Sequence, residues 1–132
     1  MTSDYSSLIQ KAAEARQHAY APYSKFLVGA ALLCEDGSVY TGCNVENASY
    51  GLTNCAERTA IFKAVSDGKR RFRAIAIVLA GEPSPCGACR QVIYEFGKDI
   101  EVILASSDRL QGPHRVLAIS ELLPGAFGPE NL

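Results

Sequence analysis

Two short cysteine segments, each set where a helix is about to begin, constrain this chain more than any other feature. The first is Cys55-Ala56-Glu57-Arg58 and the second is Pro85-Cys86-Gly87-Ala88-Cys89. One helix–strand unit separates them: residues 55–66 read as a helix, and residues 73–79, apolar after Arg73, as a strand. Asn54 can cap the first helix, and Pro85 suits the first turn of the second. A cysteine at a helix N-terminus ionises easily, because the free N–H groups and the helix dipole stabilise a thiolate. Two such N-termini at the same edge of a sheet would bring three thiolates to one point.

The flanking sequence supplies such a sheet. Residues 6–20 read as a helix, with Leu8, Ile9, Ala12, Ala13, Ala15, Ala19 and Tyr20 near helical spacing. Ala21-Pro22-Tyr23-Ser24 ends it, since proline disfavours helical geometry in the residue before it. Residues 26–34 are apolar or small at both odd and even positions, the mark of a strand covered on both faces. Asp36-Gly37 reads as a two-residue hairpin loop, with residues 38–44 returning. That register sets Cys34 opposite Val39 and Cys43 opposite Ala30, so the two cysteines are read as buried free thiols. A helix over 87–96, a strand over 101–105, a short strand over 116–119 and a helical turn over 120–123 complete the chain; Pro124-Gly125 stops that turn. Strands alternating with helices after an opening hairpin predict an α/β sandwich with a mixed sheet, all 132 residues forming one domain.

Composition closes off several function classes. Apolar residues make up 48% and charged residues 20%, as in a globular chain. A net charge of −1 leaves no electrostatic footprint for nucleic acid. The short basic run of Lys69, Arg70, Arg71 and Arg73 reads as a solvated connection between helix and strand. Residues 1–7 are polar and unlike a signal peptide, and no apolar stretch approaches the roughly 18 residues of a membrane span. A cytoplasmic location is expected, where thiols stay reduced. Five cysteines, an odd count, then point to metal or catalysis before disulfides.

A Cys-x-x-Cys pair alone also serves redox chemistry or structural zinc. Three thiolates say more, because structural zinc sites are closed by four protein ligands while catalytic ones leave a position for water. His114 returning in space would close the site as Cys₃His; His18 reads as structural near a helix C-terminus. Zinc with three thiolates carries net −1, which opposes ionising a bound water. One extra negative charge about 3.5 Å away, at an effective dielectric near 20, is on the order of 4–5 kcal/mol, about three pKa units. Arg58, three residues beyond Cys55 on the same helix face, can donate to one or two sulfurs and neutralise part of this. Glu57 fits a capping box with Asn54. It is also two residues from a ligand, close enough to move protons without binding the metal, and no histidine is at hand for that task.

These residues match the signature of the zinc nucleoside and nucleobase deaminases, with cysteine in place of histidine as first ligand. Beyond them, Ala21-Pro22-Tyr23-Ser24, residues 26–31, Asn44-Val45-Glu46-Asn47, Arg90-Gln91 and Leu122-Leu123-Pro124 with Phe127-Gly128 make the chain resemble the small tetrameric cytidine deaminases nearly end to end. The resemblance implies a three-layer α-β-α sandwich with a mixed five-stranded sheet, and one Zn²⁺ per chain on Cys55, Cys86 and Cys89. It implies hydrolytic deamination of cytidine and deoxycytidine, in which a zinc-bound hydroxide attacks C4 and Glu57 shuttles protons. Phe26 would pack on the pyrimidine, Asn44 and Glu46 would bond the ribose from one strand face, and the Ala56 N–H would meet the base carbonyl. Tyr50 and Phe127 would complete a neighbouring subunit's pocket in a homotetramer.

Three rivals are distinguishable in principle. A blasticidin-type aminonucleoside deaminase shares the zinc motifs but lacks an acidic residue where Glu46 stands. A polynucleotide deaminase needs contacts to flanking phosphates, for which there is no basic groove here. A non-catalytic zinc module needs a fourth protein ligand.

Overall fold

The computed structural model describes residues 4–132. Met1–Ser3, the head of the segment read as no signal peptide, lie outside the described residues. The elements are α1 (Ser6–Arg16), β1 (Gly29–Cys34), β2 (Val39–Cys43), α2 (Ala56–Ser66), β3 (Phe72–Leu79), α3 (Gly87–Glu95), β4 (Glu101–Ser106), β5 (Arg115–Ala118) and α4 (Ile119–Leu122). Short 3₁₀ turns occupy Tyr50–Leu52 and Pro129–Asn131. The strands form one sheet in the order β2-β1-β3-β4-β5. Only β3 and β4 run parallel; the other pairs are antiparallel. This is the mixed five-stranded α/β sheet that the sequence predicts.

Side-chain size along β3 explains the layering. Ala74, Ala76 and Val78 face α1, whose Leu8, Ile9 and Ala12 pack into the same cluster with Ala31, Ile103 and Ala105. Ile75, Ile77 and Leu79 face the opposite side, where Phe72 joins them across a break in register at Leu33–Cys34, against Ala60, Ile61 and Ala64 of α2 and Ile93 and Tyr94 of α3. A strand alternates its side chains between faces, so small residues admit α1 closely while larger ones fill the space below α2 and α3. Gly29 carries this furthest: a Cβ there would lie 2.0 Å from the Ala12 carbonyl oxygen.

Apart from one-residue shifts at the ends of other elements, the fold departs from expectation most at α1, at the start of β1 and at the hairpin loop. α1 stops at Arg16, four residues early, because the Tyr20 backbone is engaged elsewhere. Its N–H donates to the Asn44 carbonyl at 2.9 Å, and its carbonyl accepts from Glu46 N–H at 2.8 Å. The strand expected from residue 26 begins at Gly29, with residues 26–28 outside it. The hairpin loop is three residues, 35–37, with Gly37 at φ +92°. Cys34 N–H therefore bonds the Ser38 carbonyl at 2.9 Å, the usual geometry of a three-residue loop ending in a left-handed glycine. That extra residue shifts the whole register, so Cys43 faces Gly29 and Val39 faces Leu33. Cys34 and Cys43 are free as expected, although Cys43 is only half-buried.

Candidate active site

The two cysteine segments meet. Cys55 is the N-cap of α2 and Cys86 the N-cap of α3, while Cys89 is buried in the first turn of α3. Cys55 thus takes the position expected for Asn54, whose side-chain amide instead donates to Thr59 Oγ1 at 3.1 Å. Pro85 correspondingly lies just outside α3. The Sγ atoms of Cys55, Cys86 and Cys89 all lie within 4.8 Å of one another, and Cys55 and Cys86 are 3.7 Å apart. Ligands about 2.3 Å from a tetrahedral zinc are separated by about 3.8 Å, so the spacing fits the ion. Among the described residues neither histidine joins this group, which removes the closed Cys₃His alternative.

Charge in the cluster is organised around α2. Arg58 Nη2 donates to Cys55 Sγ at 3.3 Å, and the guanidinium also serves Cys89, as the i+3 spacing predicts. The bond to Cys55, with that to Cys89 adding to it, raises the arginine's already high pKa further. A hydrogen bond from Cys89, with Arg58 and Cys86 adding to it against burial, brings the Cys55 thiol down to about 5. Cys89 moves the opposite way, through its bond to Cys55 and its burial. Three sulfurs this close cannot all be thiolates unless a cation lies between them, and this donor set suits a thiophilic divalent ion.

Glu57 is 4% exposed and lies against Cys89. Burial pushes its carboxyl above the ordinary glutamate range, and the Cys55 charge adds to that. It occupies the second helical position, and α2 has no side-chain N-cap bond, so the capping-box reading fails. Ala56 opens α2, where a backbone N–H has no intrahelical acceptor.

The remaining candidates form a second cluster beside the first. Asn44 and Glu46 are not on a strand, contrary to expectation, but flank an isolated bridge at Val45. Val45 exchanges two 2.9 Å backbone bonds with Asn54, the residue before the ligand Cys55. The Asn44 side chain accepts from Val28 N–H at 2.9 Å and donates to the Phe26 carbonyl at 2.8 Å, which holds the Phe26 segment. Lys25, at φ +63°, turns the chain just before Phe26, whose side chain stays nearly half exposed. Glu46 Oε1 accepts from Tyr23 and Ser24 N–H at 3.0 and 3.1 Å, and Oε2 accepts from Ser24 Oγ. These residues line a cleft of about 380 Å³ with Tyr50 and Thr53, walled by the edge-to-face Tyr23–Tyr50 pair. Phe127 lies on the C-terminal segment, and it and Tyr50 project strongly, 63% and 75% exposed. Sequence reasoning missed the Ser24–Glu46 pair, because a proline-led turn gives no sign of which distant carboxylate it binds.

Comparison with known proteins agrees with this geometry. The family model for the cytidine and deoxycytidylate deaminase zinc-binding region matches residues 2–105. A cytidine deaminase of Sporosarcina psychrophila is 54% identical over 98% of this chain and 95% of its own. One from Mycobacterium tuberculosis H37Rv is 46% identical over 98% and 93%. The crystal structure of cytidine deaminase from Burkholderia pseudomallei superposes with a TM-score of 0.88 at 55% identity, covering 95% of this chain and all of that one. With three cysteines gathered as a zinc site on the matching fold, this chain belongs to the zinc-binding cytidine and deoxycytidylate deaminase family.

Proposed function

We propose that the chain hydrolyses cytidine and 2′-deoxycytidine to uridine and 2′-deoxyuridine, releasing ammonia. The observation that carries this reading is the burial of Glu57 against Cys89, one of three convergent cysteine sulfurs with no fourth protein ligand among the described residues. Zinc held by Cys55, Cys86 and Cys89 would supply Lewis acidity, making a water acidic enough to attack at neutral pH. Glu57 accepts a proton from that water and passes it to N3 of the base, which leaves C4 electrophilic. Once the water oxygen has added to C4, Glu57 takes the remaining proton from that hydroxyl and delivers it to the 4-amino group, so that the C–N bond breaks, ammonia leaves and the C4 carbonyl of uridine forms. One carboxyl serves as base and acid in turn, and its raised pKa suits the acid role. Arg58 keeps the thiolate charge from opposing proton removal.

The substrate end follows from unused hydrogen-bonding capacity. Asn44 has one N–H left after bonding Phe26, and Glu46 has one acceptor position left on Oε2. One donor and one acceptor match a single ribose hydroxyl. This favours a nucleoside over a free base, and Glu46 disfavours the blasticidin-type alternative. Phe26 offers its exposed face to the pyrimidine, and the Ala56 N–H is free for the base carbonyl.

Assembly as a homotetramer is part of the proposal. Tyr20, Tyr23, Tyr50, Leu52 and Phe127 are all about half exposed or more, the kind of surface that oligomers cover. Tyr50 and Phe127 are assigned to a neighbour's pocket. Among the described residues no helix is long and apolar enough to cross a membrane. The five free cysteines suit a reducing cytoplasm, where the whole chain would act as one domain in pyrimidine salvage.

The deciding experiment incubates the metal-loaded protein with cytidine and follows loss of its near-ultraviolet absorbance, with ammonia and zinc measured in parallel. Expected are uridine and ammonia in equal amounts at about one zinc per chain. Zinc-loaded protein that leaves cytidine untouched would overturn the reading.

A further inference from the structure

We infer that Arg90 is a positioning residue that fixes the backbone of Cys86 and thereby slows zinc release. Of the three ligands Cys86 is the exposed one, Cys55 being half-buried and Cys89 buried. Packing therefore does least for Cys86, and something else must hold it. Arg90 is one turn into α3, and its backbone N–H bonds the Cys86 carbonyl at 3.0 Å. Its side chain folds back over the same residue: Nε donates to the Pro85 carbonyl at 2.9 Å, and Nη2 to Ser84 Oγ at 2.8 Å. The peptide groups on both sides of Cys86 are thus held by one residue, fixing the rotation that aims its sulfur (φ −69°, ψ 167°).

The third nitrogen reaches outside the metal loop. Nη1 donates to the Leu122 carbonyl at 2.8 Å, at the end of α4. Gln91 Nε2 next to it donates to the Phe127 carbonyl at 2.8 Å, and Tyr94 Oη to Glu130 at 2.8 Å. The helix that carries two zinc ligands is therefore bolted along one side to the C-terminal segment. Among the side-chain hydrogen bonds of the described residues, only those of Arg90 join that segment to the loop before Cys86. A lysine could not replace it, since a single ammonium cannot span three acceptors that a planar guanidinium meets with three nitrogens. Arg58 already supplies charge to the sulfurs, so Arg90 acts through geometry.

The test measures zinc transfer from the intact holoprotein to a chromogenic chelator, together with the spectrum of the cobalt-substituted protein. The inference rests on Cys86 being a ligand, so Cys86→Ser is run alongside; unaltered zinc retention in that variant would locate the failure in the zinc assignment itself. Arg90→Ala should release zinc about 10–100-fold faster, the usual cost of removing a group that orients a metal ligand, and shift the cobalt–thiolate bands. Arg90→Lys should fall between Ala and wild type, and it carries the test if the alanine variant does not fold. Tyr94→Phe removes one bond between the same helix and the same segment without touching Cys86, and should leave release within about twofold of wild type. Wild-type release from Arg90→Lys, or equal acceleration by Tyr94→Phe, would overturn the inference in favour of general loosening.

Discussion

Arg58 Nη2 reaches Cys55 Sγ across 3.3 Å, one helical turn from the ligand it serves. The helix makes this contact unavoidable, because residues three apart lie on one face. The sulfur gains a charge-assisted donor, and the arginine carries its charge to a place where three thiolates would otherwise leave the site net negative. Its Nε is buried with no hydrogen-bond partner, so the guanidinium is held there chiefly by the sulfurs.

Arg58→Ala should therefore weaken zinc retention by about 10–100-fold. It should also move the pH–rate profile upward, since removing a proton from water beside uncompensated thiolates becomes harder. Chelator competition reads the first effect and kcat/KM against pH the second. An unchanged profile at full zinc loading would show that the helix N-termini alone balance the charge.

Glu57→Gln keeps the shape and burial of the side chain but removes its proton chemistry. Turnover should fall by at least about 10²–10⁴-fold, while zinc content stays that of the wild type because Glu57 is not a ligand. Metal analysis and steady-state kinetics on one preparation separate these. A glutamine variant that deaminates normally would reduce Glu57 to a buried structural residue.

The metal half of this site was legible in the sequence, and the half proposed for the ribose much less so. Cys55, Glu57, Arg58, Cys86 and Cys89 sit within two local segments, and helical periodicity relates their side chains without tertiary information. Asn44 and Glu46 differ. Read as a continued strand, they share a face; in the structure the strand ends at Cys43, and each side chain is committed to a distant segment. The hairpin register failed for a related reason. Asp36-Gly37 marks a turn, but whether Glu35 pairs or joins the loop depends on the whole β1–β3 alignment, where Glu35 N–H bonds the Arg71 carbonyl at 2.9 Å. Early termination of α1 has the same origin, since Tyr20 is drawn into pairing with residues 44–46.

Gly42 offers a stability test of how α2 is aimed. A Cβ there would lie 2.5 Å from both the Ala56 carbonyl oxygen and Ala60 N, backbone atoms of the helix that carries the site. Gly42→Ala should cost about 3 kcal/mol, the upper end for overpacking, because neither helix atom can swing aside. The melting temperature should fall by about 10 °C. Gly51→Ala, where nothing lies within 4 Å, is the matched control and should melt near wild type. Equal melting of both variants would mean that β2 and α2 separate without cost.

Glu46 has one job seen in the structure and one proposed for it, and a pair of substrates distinguishes them. It clamps the turn at Tyr23 and Ser24, and its remaining acceptor position is assigned to a ribose hydroxyl. The Ser24 hydroxyl, with the Tyr23 and Ser24 amides behind it, holds the carboxyl below the ordinary glutamate range. The acceptor therefore stays charged as pH falls through that range. Glu46→Gln should lower kcat/KM for cytidine by about tenfold to a hundredfold, the worth of a hydrogen bond to a charged group at about 1.5–3 kcal/mol. Both proposed substrates, cytidine and 2′-deoxycytidine, carry a 3′-hydroxyl, which is taken as the partner; for 3′-deoxycytidine, which lacks it, the same substitution should have little further effect. A loss shared equally by both substrates would assign Glu46 to the turn alone, and Ser24→Ala would then reproduce it. A loss confined to cytidine shows that the carboxylate, held at the turn by Ser24 and Tyr23, is presented to the sugar.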